Sequence, residues 1–144
     1  MKGFNPYKVE QTLKTSINNL KLKGKIDRID IKNPKSEIRN PKSVILLDYK
    51  TGSIDKDSLQ LPLYASMWQK EMPESVENTG FYSLKDGRVD WHPKRMDMAD
   101  FLQRALQTAE ELVQRIKKGE FAPAPSKEGE CRYCYHSNLC KTPK

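Results

Sequence analysis

The sequence predicts a mixed α/β domain, a central sheet flanked by helices and followed by an irregular cysteine-rich tail. Three observations predict it. The run Val44-Ile45-Leu46-Leu47 is continuous and aliphatic, as in a central strand covered on both faces. Leu20, Leu22 and Ile26 alternate with Lys21, Lys23 and Lys25, the pattern of a half-buried strand. Phe101, Leu102, Ala105, Leu106, Ala109, Leu112, Val113 and Ile116 then recur at helical spacing, a stripe expected to serve as core. Strands, helix, strands, helix and tail follow in that order, which implies a mixed sheet with helices against it.

Each element has its own signals. Residues 8–31 read as extended. After Ile26 the apolar phase shifts to Ile29 and Ile31, which predicts a bulge or strong twist between Gly24 and Asp27. Ile31-Lys32-Asn33-Pro34-Lys35-Ser36 recurs as Ile38-Arg39-Asn40-Pro41-Lys42-Ser43, and its Asn-Pro and Ser residues predict an extended loop between strands. Thr51-Gly52-Ser53 ends the aliphatic strand. Asp57 is a candidate cap for a helix running to about Glu71, with Pro62 tolerated in its first turn. Gly80–Ser83 and Val89–His92 read as an antiparallel pair around Asp86-Gly87. Asp97 caps the apolar-striped helix and Gly119 ends it. Ala122-Pro123-Ala124-Pro125 forms a stiff linker, so a core of residues 1–121 and a tail of residues 122–144 are expected.

At 144 residues the chain is one domain of ordinary size. The hydrophobic fraction of 36% is low and the charged fraction of 31% high, which suits a thin core under a polar surface. The longest apolar run is four residues and the N-terminus lacks a signal-peptide core, so a cytoplasmic, non-membrane protein is expected. The net charge of +7 is uneven: residues 1–50 carry 12 Lys and Arg against 5 Asp and Glu, residues 51–144 carry 14 of each. A basic surface around an acidic centre suits a polyanion drawn toward a metal.

The acidic centre is Asp48-Tyr49-Lys50, at the end of the aliphatic strand. Alternation places Asp48 and Lys50 on one side, about 6.5 Å apart along the strand. A carboxylate beside an ammonium there can hold a divalent metal and position a water for attack on a phosphodiester. Gly24-Lys25-Ile26-Asp27-Arg28-Ile29-Asp30 precedes this motif and Gln60-Leu61-Pro62-Leu63-Tyr64-Ala65 follows it. Gln60 and Tyr64 share a helical face. Cys131, Cys134 and Cys140 close the chain. Their odd number and crowding argue against a disulfide framework and for metal or cluster ligation.

These motifs resemble the RecB-like branch of the PD-(D/E)XK nuclease superfamily. Gly24-x-x-Asp27-Arg28-x-Asp30 looks like its second motif, Asp48-Tyr49-Lys50-Thr51-Gly52 like its Asp-x-Lys motif, and Gln60-x-x-x-Tyr64 like the Gln-x-x-x-Tyr that follows. The likeness extends from about Glu10 to Cys140. It is greatest to members with a C-terminal cysteine cluster, the AddB-type repair nuclease domains and the CRISPR-associated adaptation nucleases. The resemblance implies a restriction-endonuclease-like core. It implies a Mg²⁺ or Mn²⁺ ion on Asp27, Asp48 and the Tyr49 carbonyl, with Lys50 as the catalytic cation, and substrate contacts from Arg28, Gln60 and Tyr64.

It further implies that the three cysteines are C-terminal ligands of a [4Fe–4S] cluster. No cysteine precedes Cys131, and the helix bearing the family's histidine is missing, so the chain looks like a nuclease domain without its N-terminal helical segment. Zinc on the three cysteines and His136 is the alternative. The expected function is metal-dependent DNA hydrolysis, exonucleolytic, in repair or recombination beside a helicase. A CRISPR-adaptation trimming nuclease and a catalytically silent DNA-binding scaffold are the alternatives.

Overall fold

The computed structural model describes residues 4–32, 42–55, 58–122, 131, 134–136 and 140. The duplicated segment at 33–41, Asp57 and most of the Ala-Pro linker lie outside them. Two compact units divide the chain, residues 1–110 and 111–144.

The first unit is built on a five-stranded sheet. Its strands are β1 (Phe4–Ile17), β2 (Leu20–Lys32), β3 (Ser43–Lys50), β4 (Ser75–Ser83) and β5 (Val89–His92), and they lie in that order across it. Neighbours are antiparallel except β3 and β4, which are parallel. A parallel neighbour needs a crossover, and α1 (Gln60–Glu71) supplies it. The expected mixed sheet with flanking helices is what forms.

Burial follows from parity. Ile29 and Ile31 of β2 and Val44 and Leu46 of β3 share one core cluster with Ala65, Met67 and Trp68 of α1. The intervening residues Ile45 and Leu47 are buried on the opposite face, at 3% and 0% exposure, so β3 is covered on both sides as its aliphatic run predicts. Trp68 is fully buried, and its indole N–H donates to the Glu74 carbonyl 3.1 Å away.

The phase shift after Ile26 is real, since Ile26 and Ile29 both enter the core cluster. The expected bulge in β2 is not its cause. β2 keeps one register against β1 from Leu20 to Ile29, and the ladder shifts only between Pro6 and Lys8. The backbone departure lies in the partner strand. Glu10, between the pairs Val9↔Arg28 and Gln11↔Ile26, has a φ of 50°.

Helix α1 begins at Gln60, two residues later than a cap at Asp57 would place it, and Leu59 occupies the cap position. The first i→i−4 bond runs from the Leu63 N–H to the Leu59 carbonyl at 3.1 Å. Pro62 thus sits where the N–H has no partner within the helix, so its missing donor costs nothing. Strand β4 starts at Ser75, earlier than the expected Gly80.

Helix α2 (Met98–Lys117) is capped by Asp97, whose Oδ1 accepts from the Asp100 N–H at 2.8 Å. Leu102, Ala105 and Ala109 are buried, whereas Leu112 and Ile116 are 42% and 56% exposed, so the expected core stripe holds only for the helix's earlier turns. In the second unit Gly119 closes the helix with a φ of 74°; its N–H donates to the Ile116 carbonyl and the Glu120 N–H to that of Arg115, each at 3.0 Å. Among the described residues no helix is long and apolar enough to cross a membrane.

Candidate active site

The site forms where β2 and β3 part. Their last paired residues are Arg28 and Leu47, and the next position outward sets Asp27 opposite Asp48. There the Tyr49 N–H donates to Asp27 Oδ2 at 2.8 Å. A side-chain oxygen thus takes a main-chain donor at the point where the ladder stops, which holds Asp27 beside β3.

Asp48 is 3% exposed, and its Oδ2 lies 2.7 Å from Lys50 Nζ. Lys50 and Asp48 are joined again through α1. Gln60 Oε1 accepts from Lys50 Nζ at 2.8 Å, while Gln60 Nε2 donates to Asp48 Oδ1 at 2.6 Å and to the Tyr64 hydroxyl at 3.1 Å. The amide therefore presents its oxygen to the cation and its nitrogen to the anion, and the helix's first turn sets the spacing of the strand's two charges. Phe81, the β4 partner of Asp48, lies under Lys50, with Nζ 5.1 Å from the ring centroid. His92 packs edge-on against that ring at 5.7 Å.

The electrostatics are those of a crowded anion. Burial pushes the Asp48 carboxyl above its ordinary value, the Lys50 ammonium beside it pulls it back, and the Asp27 charge raises it again. The Asp48 Oδ2 contact to Lys50 is an ion pair without hydrogen-bond alignment, so a buried oxygen keeps lone pairs unused. Hard carboxylate oxygens of this kind suit Mg²⁺ or Mn²⁺. Among the described residues no three His, Cys, Asp or Glu side chains converge, so the carboxylate donors here are two, Asp27 and Asp48.

The comparisons with known proteins bear on this arrangement. Residues 1–141 match the PD-(D/E)XK nuclease superfamily. The chain belongs to that superfamily. A relative, the Gene 69 protein of Mycobacterium phage L5, is 26% identical over 135 residues, which is 92% of this chain and 43% of the phage protein. The chain thus spans less than half of that relative's length. Two solved structures are similar: the protein named "Putative exonuclease" from Eubacterium rectale (19% identity, TM-score 0.47, 95% of this chain and 54% of that one) and SSO0001 (20% identity, TM-score 0.41, 93% and 59%).

Within this superfamily domain, Asp27, Asp48, Lys50, Gln60 and Tyr64 come together. Arg28 does not. It lies on the opposite face with Tyr49 and Asp30, where its Nε and Nη2 grip the Asp30 carboxylate at 2.7 and 2.9 Å. That bond first, and then one to the Tyr49 side chain, holds the guanidinium above its ordinary pKa. Asp30 is 1% exposed, so Arg28 neutralises a buried charge instead of meeting the other candidates. Cys131, Cys134 and Cys140 belong to the second unit and none is in a disulfide. The Cys140 N–H donates to the His136 carbonyl at 3.0 Å, but these cysteines and His136 are not gathered into a metal-holding set among the described residues.

Two residues were missed as parts of the site. Phe81 lies in a strand with no motif of its own. Gly24 has a readable signal, because a glycine inside a strand marks close approach of another group. A Cβ built there would stand 2.5 Å from Tyr64 Cε1 and 3.0 Å from Cδ1. Gly24→Ala is expected to displace the Tyr64 ring, to cost about 1–3 kcal/mol in chemical denaturation, and to lower activity with it. An unaltered unfolding midpoint would show that Tyr64 is not held against this strand.

Proposed function

We propose that this domain hydrolyses DNA phosphodiesters with a Mg²⁺ or Mn²⁺ ion held by Asp27, Asp48 and the Tyr49 main-chain carbonyl. The observation that carries the reading is the pairing of a buried, incompletely bonded carboxylate with an ammonium at fixed spacing, bridged by one glutamine. A bound ion of this class polarises a phosphoryl oxygen and lowers the pKa of bound water.

The chain's own groups do the rest. Lys50, held by Gln60 Oε1 and resting on Phe81, orients the attacking water and offsets negative charge growing on the phosphate. Gln60 keeps Asp48 and Lys50 in one geometry. Tyr64, at the site's border, meets the substrate with Gln60. The domain works in repair or recombination as part of a larger helicase-bearing assembly, and Cys131, Cys134 and Cys140 serve as ligands of an iron–sulfur cluster or zinc ion.

Cleavage of a labelled oligonucleotide is expected to need Mg²⁺ or Mn²⁺ and to stop in EDTA. The pH profile adds a sharper test. Asp48 must be ionised to take a cation, and burial raises its pKa, so protons compete with metal at a higher pH than they would at an ordinary aspartate. The acid limb should therefore move to lower pH as metal is raised, by about one pH unit per tenfold metal for one competing proton. A limb that ignores metal concentration would remove Asp48 from the ion's ligands.

A further inference from the structure

The β1–β2 hairpin carries a second surface that the site does not use. From Thr12 to Lys25 its exposed side presents Thr12, Lys14, Ser16, Lys21, Lys23 and Lys25, alternating with residues such as buried Leu13 and Leu20. These six are four lysines and two hydroxyl residues, without an acid or an apolar side chain. Lys14 stands directly opposite Lys23, Thr12 opposite Lys25 and Ser16 opposite Lys21.

Like charges directly opposite weaken a sheet, and a surface serving only solubility intersperses its signs. Here one acid compensates, Glu10 at the end of the row, 3.2 Å from Lys25. Among the described residues Lys14, Lys21 and Lys23 form no ion pair. Lysines with hydroxyl groups are the donor set that meets phosphate oxygens. Alternate residues of a strand repeat at about 6.6–6.8 Å, which is two steps of the roughly 3.4 Å charge repeat along one nucleic-acid strand. The row also has a direction. Lys21, Lys23 and Lys25 lead along β2 toward the place where it parts from β3, and the phase shift after Ile26 then turns Asp27 onto the face of Ile29 and Ile31, so the row stays on the other face of the sheet from the two carboxylates.

We propose that the outer face of the β1–β2 hairpin is a track for the DNA phosphate backbone, running along β2 toward the edge where that strand parts from β3. The direction of the track rests on the reading of Asp27 and Asp48 as the hydrolytic centre; the binding itself does not. The test measures affinity and its salt dependence for a fluorescein-labelled oligonucleotide, single-stranded and duplex, in EDTA to prevent cleavage.

The full chain carrying Lys14→Gln, Lys21→Gln and Lys23→Gln should bind about 10–100-fold more weakly, with the slope of log affinity against log salt reduced by about 2. The same three positions changed to Arg should bind as the unaltered protein does, which separates lost charge from lost folding. Lys70→Gln, Lys85→Gln and Lys118→Gln together, an equal charge change elsewhere, should leave the slope alone. Equal affinity and slope in the hairpin variant, or an equal loss in the control, overturns the track. So does a hairpin variant that loses binding to phosphatidylserine vesicles while keeping DNA. If the unaltered protein cleaves nothing but the hairpin variant still loses DNA, the track stands and the hydrolytic reading fails. If cleavage is lost in Asp48→Asn protein while the hairpin variant binds normally, the reverse holds.

Discussion

Asp48→Asn protein is expected to lose DNA cleavage by about 10³-fold or more while melting at the same temperature as the unaltered chain or above it. The loss follows from removing the charge that a cation needs. The retained or increased stability follows from the sign of the pKa shift. Burial raises the Asp48 pKa, so the folded state holds that proton more tightly than the unfolded state does. Stability is therefore lost as pH rises from the ordinary carboxylate value through the raised one, and at neutral pH the ionised group is a net burden. An asparagine keeps an oxygen for the Gln60 N–H, now 2.6 Å from Asp48 Oδ1, and drops the charge. Mg²⁺ or Mn²⁺ at a hundred times its dissociation constant should stabilise the unaltered protein by about 2.7 kcal/mol and leave the variant unmoved. Cleavage within tenfold of normal would place the chemistry elsewhere.

Lys50→Ala should cost about 10²–10³-fold in kcat and little in KM, because the ammonium acts on charge that develops during reaction. It should also move the acid limb of the pH profile upward. The Lys50 ammonium lowers the Asp48 pKa, against burial and Asp27, which raise it. Lys50→Arg should restore the limb's position more fully than the rate, since charge is kept while the point-like donor geometry is not. An acid limb unmoved in Lys50→Ala protein would show that the 2.7 Å pair is not maintained during turnover.

Much of this centre is legible in the sequence because strand parity is strict. Once Val44–Leu47 reads as a buried strand, Asp48 and Lys50 must share a side, and a helix beginning near Gln60 must stack Gln60 and Tyr64 on one face. The start of β4 is harder to read, since Ser75-Val76-Glu77-Asn78-Thr79 has too few apolar residues to signal a strand; its place comes from parallel pairing with β3. Arg28 misleads for a related reason. Its spacing from Asp27 fits a shared site, but adjacent strand residues point apart, and the phase shift around Ile26 obscures which way each one goes. Burial of Asp30 explains the arginine better, and no local pattern announces that Asp30 is buried. The break in backbone regularity is equally silent, because it falls at Glu10 in the partner strand while the apolar pattern shows it in β2.

The Gln60 bridge has a consequence for the order in which the charged centre is assembled. During synthesis both carboxylates and Lys50 leave the ribosome before the crossover helix does, and the β1–β2–β3 meander they belong to closes through sequential neighbours. At that stage nothing in the chain fixes Lys50 to Asp48 at both ends, since the amide that spans them belongs to α1. The centre is completed only when α1 docks across four strands and β4 slots in parallel beside β3, the least local pairing in the sheet. On the proposed hydrolytic reading, a half-made chain carries the reactive groups but not their alignment, and hydrolysis is withheld until the fold that confines it exists.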